Sequence, residues 1–237
     1  MGGTKSLLHY FTKTEAALWA FSVLFISLSF AGFDRENYLS LSASLLGVTS
    51  LIFCAKGNPV GQLLMVIFSL LYALISYSFA YYGEMLTYLG MTAPMALVAL
   101  VSWLKNPYNG NRSEVKVNRI GRRETLFMLL LAVPVTAAFY FILKNFGTAN
   151  LIPSTFSVTT SFIAVYLTYR RSCYFALAYA VNDLVLVVLW SLASLKDSSY
   201  VSVLACFIVF FLNDLYGFYN WQKMQRRQEV EYIGDNI

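Results

Sequence analysis

Residues 173–195 read CYFALAYAVNDLVLVVLWSLASL, a run with no Lys, Arg, His or Glu and with one carboxylate, Asp183, near its middle. An α-helix needs roughly 20 apolar residues to cross the hydrocarbon core of a bilayer, and this run supplies them. An ionised carboxylate at that depth costs about 2.5–3.5 kcal/mol on insertion scales, so it faces protein or water and marks a functional position. Seven more runs of the same kind flank it, at 16–33, 38–55, 59–82, 85–104, 124–144, 150–169 and 199–222. Eight such segments, joined by short connections and one basic loop from Lys105 to Arg123, predict an all-α polytopic membrane protein.

Composition agrees with that reading. Of 237 residues 58% are hydrophobic and 12% charged, against about 25% charged in soluble domains. What lies outside the segments is too short for a second domain. The net charge of +5 reports orientation in such a protein rather than nucleic-acid binding. With all eight segments crossing, Lys5, Lys13, Lys56, the Lys105–Arg123 loop, Arg170, Arg171, Lys223, Arg226 and Arg227 fall on one side, 14 positive charges in all. Arg35, Lys144 and Lys196 make 3 on the other. This asymmetry places both termini in the cytoplasm, and no cleavable signal sequence is expected.

Several chemistries lose their residues. His9 is the only histidine, and Cys54, Cys173 and Cys206 have no CxxC spacing, so no metal site, cofactor or catalytic triad is expected. The cysteines read as small buried hydrophobes. There is no phosphate-binding loop or dinucleotide glycine fingerprint. An enzyme is not expected.

Two blocks share a pattern. Thr49-Ser50 opens three apolar segments closed by Trp103-Leu104-Lys105, and Thr160-Ser161 opens three closed by Trp221-Gln222-Lys223. One joining segment between two triplets makes them parallel, a 3+1+3 repeat preceded by one extra helix. The chain divides into an N-terminal segment with that helix (1–37), a first repeat (38–104), a basic loop with the linker helix (105–149), a second repeat (150–223) and a tail (224–237). Parallel repeats are a transporter architecture with a midplane site between the halves.

Candidate site residues follow from polar positions on these segments. Asn182 and Asp183 lie mid-segment, and Trp190 is seven residues beyond Asp183, on the same helical face. The last segment repeats the device with Asn213, Asp214, Tyr216 and Trp221. The third carries a polar stripe of Gln62, Ser69, Tyr72 and Ser76. Such stripes could line a cavity with aromatic faces and amide groups. The alternatives are packing glue for Asn and Ser, an interfacial belt for Trp103, Trp190 and Trp221, and an interfacial place for Gln62.

At these residues the sequence resembles the PnuC-type transporters of nicotinamide riboside, a vitamin B3 precursor, in bacterial inner membranes. The resemblance spans residues 40–223 and is carried by Ala55-Lys56-Gly57, Tyr81-Tyr82-Gly83-Glu84, Asn182-Asp183 and the DLYGFYNW stretch at 214–221. It implies a fold similar to the SWEET sugar transporters, facilitated diffusion of unphosphorylated riboside, trapping by a separate cytosolic kinase, and homo-oligomers such as trimers. Segment 4 departs from the family in ending ALVALVSW, with only Trp103 retained. On this reading Trp190, Tyr72 or Tyr216 stack on the ligand, Asn182, Asn213 and Gln62 hydrogen-bond it, and Asp183 complements its charge. A proton-coupled or passive carrier of another small polar solute, such as a sugar or nucleoside, is the competing expectation.

Overall fold

In the computed structural model residues 10–78, 81–148 and 150–234 are described; Lys5 and His9 lie outside them. Eight helices long and apolar enough to cross a membrane are present among the described residues. They are α1 (Lys13–Phe33), α2 (Tyr38–Ala55), α3 (Pro59–Ser78), α4 (Tyr82–Leu104), α5 (Arg122–Asn145), α6 (Leu151–Tyr169), α7 (Phe175–Ser194) and α8 (Val201–Gly234). The segment count holds, with two shifts of boundary. The third run ends at Ser78, and Tyr82 opens α4, which puts Glu84 inside a helix rather than in a connection. Helix α8 also continues unbroken past Lys223 to Gly234.

Helix α2 packs on α3 and α8, α3 on α4, α4 on α6, α6 on α7, and α7 on α8, closing a ring of six. The triplets α2–α4 and α6–α8 thus meet along two seams. Helix α1 lies outside the ring against α2 and α8, and α5 lies outside it against α6. Their outward faces, Phe21, Leu24 and Leu28 on α1 and Phe127, Leu130 and Val133 on α5, are exposed, as expected of a surface that meets lipid.

The repeat shows in the turns. Helix α2 ends through Gly57 at φ +65° and α6 through Arg171 at φ +55°, each followed by the same long-range bond: Asn58 N–H to the Phe53 carbonyl and Ser172 N–H to the Leu167 carbonyl, both 3.0 Å. These are Schellman ends, in which a left-handed residue satisfies the last carbonyls. Arg171 adopts this conformation without being glycine, so no sequence signal marks it. The Thr-Ser pairs are out of register by comparison: Ser50 lies five residues before the end of α2, and Ser161 eight before the end of α6.

The two closing indoles are exchanged between halves. Trp103 Nε1 donates to the Thr168 carbonyl at 2.9 Å, and Trp221 Nε1 to the Cys54 carbonyl at 2.8 Å. Cys54 and Thr168 each stand one residue before the end of their helix. Both indoles are fully buried with ring centroids 5.3 Å apart, which rules out an interfacial belt for them. The outer helices obey the same symmetry. Glu15 is the third residue of α1 and bonds Lys56 at 3.1 Å; Glu124 is the third residue of α5 and bonds Arg170, directly after α6. That Glu124 hydrogen bond holds the Arg170 guanidinium above its ordinary pKa.

The loop 105–121 is ordered against this end. Strands β1 (Pro107–Tyr108) and β2 (Asn111–Val115) form an antiparallel hairpin turned at Asn109 and Gly110, both at positive φ, as a tight two-residue turn requires. Val115 N–H donates to Gly57 O at 2.9 Å and Asn118 N–H to Arg171 O at 3.0 Å. One extended strand thereby ties the two equivalent left-handed residues together. The far part of α8 closes over it through Gln228 to Val117 and Glu114, and Arg119 to Glu229. We call this the basic end.

Candidate functional site

Within the ring the six helices carry three carboxylates, Glu84, Asp183 and Asp214, and no Lys or Arg in α2, α3, α4, α6, α7 or α8 before Lys223. All three are buried, at 1%, 3% and 5% exposure. The side chains of Asp183 on α7 and Asp214 on α8 are within hydrogen-bonding reach of each other. A carboxylate only accepts, so a bond between the two needs a proton on one of them. Oδ2 of Asp183 has no partner among the described residues.

Asn182 is fixed by α6. Its Oδ1 accepts from Thr160 Oγ1 at 2.7 Å and Ser161 Oγ at 3.0 Å, which leaves the amide N–H2 for other partners. The Thr-Ser pair that looked like a repeat marker is therefore a support for the site. Gln62 is buried, not interfacial, and donates to Cys54 Sγ at 3.2 Å. Cys54 in turn lies within electrostatic range of Asp214, and no bond joins Gln62 to either aspartate of this inner tier among the described residues.

Trp190 and Tyr72 form a second tier, toward the end opposite the basic one. Trp190 Nε1 donates to the Tyr72 hydroxyl at 2.8 Å, and both rings are buried. Tyr81 lies 4.8 Å from Trp190 by ring centroid, and Tyr88 lies 4.4 Å from Tyr72. Seven residues separate Asp183 from Trp190, so the tiers are about 10 Å apart along α7. The third-segment stripe faces the interior as its spacing predicts: Gln62, Ser69, Tyr72 and Ser76 are all buried.

Asn213 and Tyr216 are not brought to these tiers. Asn213 Nδ2 donates to Ser22 Oγ on α1 at 2.9 Å and to the Val209 carbonyl, and the Tyr216 hydroxyl donates to Glu15 at 3.2 Å. Their shared helical face is real, but it is turned toward α1. Asn220 and Trp221 face α2, through the carbonyls of Ala55 and Cys54.

Two residues that the sequence reading did not assign to the site, Tyr88 and Glu84, lie at the aromatic tier and toward the end beyond it. Helix α4 makes a π turn over Tyr88–Thr92, a local widening that is frequent at functional sites. Tyr88 opens it and lies within electrostatic range of both Glu84 and Asp183. Glu84 itself sits in the first turn of α4, at the end of the Tyr81-Tyr82-Gly83-Glu84 stretch that carries the family resemblance but was given no role in the site.

Comparison with known proteins places this architecture. A family profile described as nicotinamide mononucleotide transporter matches residues 37–223. A protein of Neisseria mucosa named nicotinamide riboside transporter PnuC is 28% identical over 218 residues, 89% of this chain and 82% of the relative. One of the same name from Haemophilus influenzae is 21% identical, over 81% of this chain and 82% of the relative. A crystal structure described as the vitamin B3 transporter PnuC superposes with a TM-score of 0.81 at 25% identity, covering 92% of this chain and 94% of that one. These relatives are transporters, not enzymes.

Proposed function

The chain belongs to the nicotinamide mononucleotide transporter family, and from that premise we propose that its cargo is nicotinamide riboside, without the phosphate. The observation that carries the choice is the charge of the ring, three carboxylates and no cation. A phosphomonoester brings about 1.5–2 negative charges, and burying it beside carboxylates without a cation would cost several kcal/mol. The riboside brings one positive charge, on the pyridinium ring, which suits both carboxylates and aromatic faces. The names of the Neisseria and Haemophilus relatives favour the same cargo.

In this reading the site lies between the two triplets near the middle of the membrane. Trp190 and Tyr72 offer the stacking surface, the Asn182 amide and Gln62 hydrogen-bond the polar groups, and Asp183 complements the charge. Asn213 and Tyr216 act by holding α1 against α8. Transport is facilitated diffusion, made one-way by a separate kinase that traps the product. The protein sits in the bacterial inner membrane as a homo-oligomer such as a trimer, with the basic end and both termini in the cytoplasm.

The test is uptake into liposomes holding the purified protein, without ATP or any gradient. Labelled riboside should equilibrate with the outside concentration and accumulate only when a riboside kinase and ATP are enclosed. The Asp183–Asp214 contact favours one alternative, coupling to protons. Accumulation driven by an imposed pH gradient alone would establish that alternative and refute simple diffusion.

A further inference from the structure

Glu84 has no use in the site as described so far, yet it is more completely enclosed than either aspartate. Neither carboxylate oxygen has a hydrogen-bond partner among the described residues. The Ser157 hydroxyl on α6 is directed at it, but that oxygen too closes no bond. A Glu at the third position of a helix commonly caps the backbone; here the carboxylate does not turn back to do so. Burial without partners is costly for a carboxyl group, so a structural role leaves it unexplained.

The chain goes to some length to put it there. At Gly83 an added Cβ would meet the Thr148 methyl at 2.8 Å and Leu143 at 3.1 Å. A side chain at 83 would press on Thr148 and Leu143, so glycine eases the close passage of the start of α4 beneath the α5–α6 turn. Tyr72, Tyr81 and Tyr88 all lie within electrostatic range of Glu84, so it faces the aromatic tier from the end opposite the basic one. Asp183 faces that tier from the inner side. An unpaired carboxylate beside three phenol rings is the chemistry that receives an organic cation.

We propose that Glu84 is an outer binding station for the cationic ring of the cargo, occupied on the way in before the ring passes Tyr88 to reach Asp183. The inference rests on the riboside reading above, which names the cation. Its test compares two ligands of one shape, nicotinamide riboside and its dihydro form, whose reduced ring is uncharged, by calorimetry on the purified protein.

The wild type should prefer the cation by tenfold or more. Glu84→Gln should weaken the cation at least tenfold and change the dihydro form less than twofold. Glu84→Asp keeps the charge but withdraws it, and should give an intermediate loss for the cation alone. If the wild type binds neither ligand, the riboside reading itself fails. If the wild type binds the riboside but both variants leave the preference intact, or weaken both ligands equally, the outer station is wrong. Failure of both variants to fold would make Glu84 a structural carboxyl and overturn the inference as well.

Discussion

Laid over one another, the two triplets are alike where they close and unlike in the polar groups they turn inward. Counted from the left-handed turn residues, Lys56 matches Arg170 and Cys54 matches Thr168; Trp103 and Trp221 correspond by their bonds to those two helix ends, not by that register. From the turns, Asn182-Asp183 falls on Phe68-Ser69; counted instead from the closing tryptophans, Asp214 falls on Ala96. Matched positions keep the frame, and the mismatched ones hold the polar groups of the proposed site. A frame that must close on itself benefits from two equal clasps, whereas a cargo with one charged end has no use for two equal carboxyl clusters. The first half contributes aromatic surface instead, through Tyr72 and Tyr88.

Breaking the frame should have the largest effect, and the same effect in either half. Trp103→Ala and Trp221→Ala each remove a fully buried indole and its bond to a helix-end carbonyl, and each should cost about 3–5 kcal/mol. Thermal melts in detergent should show two large and similar losses. A large loss for one and none for the other would break the symmetry between the clasps.

Breaking the chemistry should affect one half only. Asn182→Leu leaves the Ser161 hydroxyl without its Asn182 acceptor, while Thr160 keeps the Phe156 and Ser157 carbonyls, and it removes a proposed ligand contact, so riboside binding should weaken by about 1–3 kcal/mol. At the first-half position that matches Asp183, Ser69→Ala removes a hydroxyl whose one bond among the described residues is to the Met65 carbonyl of its own helix, and calorimetry should show unchanged affinity. Equal losses at both positions would mean that the halves share the cargo.

Smaller effects separate a shared bond from two independent ones. Trp190→Phe and Tyr72→Phe each delete the bond between them while keeping a ring, for about 1 kcal/mol of binding. The double variant should cost no more than either single one, as coupled partners do. Smallest of all, Arg170→Met should cost about 1 kcal/mol of stability or less, because its pair with Glu124 is partly exposed. Lys56→Met should cost more, since its partner Glu15 is enclosed at 2% exposure. Chemical or thermal denaturation of the two variants checks that order.

The frame was largely legible in the sequence. Length and apolarity give eight crossings, the 14-to-3 charge split gives the basic end, and the paired tryptophans give the repeat. Interior polar positions were legible where a polar group interrupts an apolar run, as at Asn182, Asp183, Gln62 and Tyr72, all of them buried. They were not legible where burial is supplied by distant parts of the chain. Glu84 precedes its apolar run and reads as a connection residue, yet Thr148 and Leu143 enclose the backbone before it and Ser157 faces it from α6. Asn213 and Tyr216 show the converse. Their spacing places them on one face, but helix α8 packs against α1, α2 and α7 together, and spacing alone does not say which neighbour that face meets.

The central claim is that a ring with three carboxylates and no cation takes the riboside and refuses its phosphate. Calorimetric titration of the purified protein with nicotinamide riboside and with nicotinamide mononucleotide, with nicotinamide and a hexose as controls, tests it directly. The riboside should bind saturably, and the mononucleotide should give no measurable heat at the same concentrations. Mononucleotide binding as tight as or tighter than the riboside's would contradict the claim.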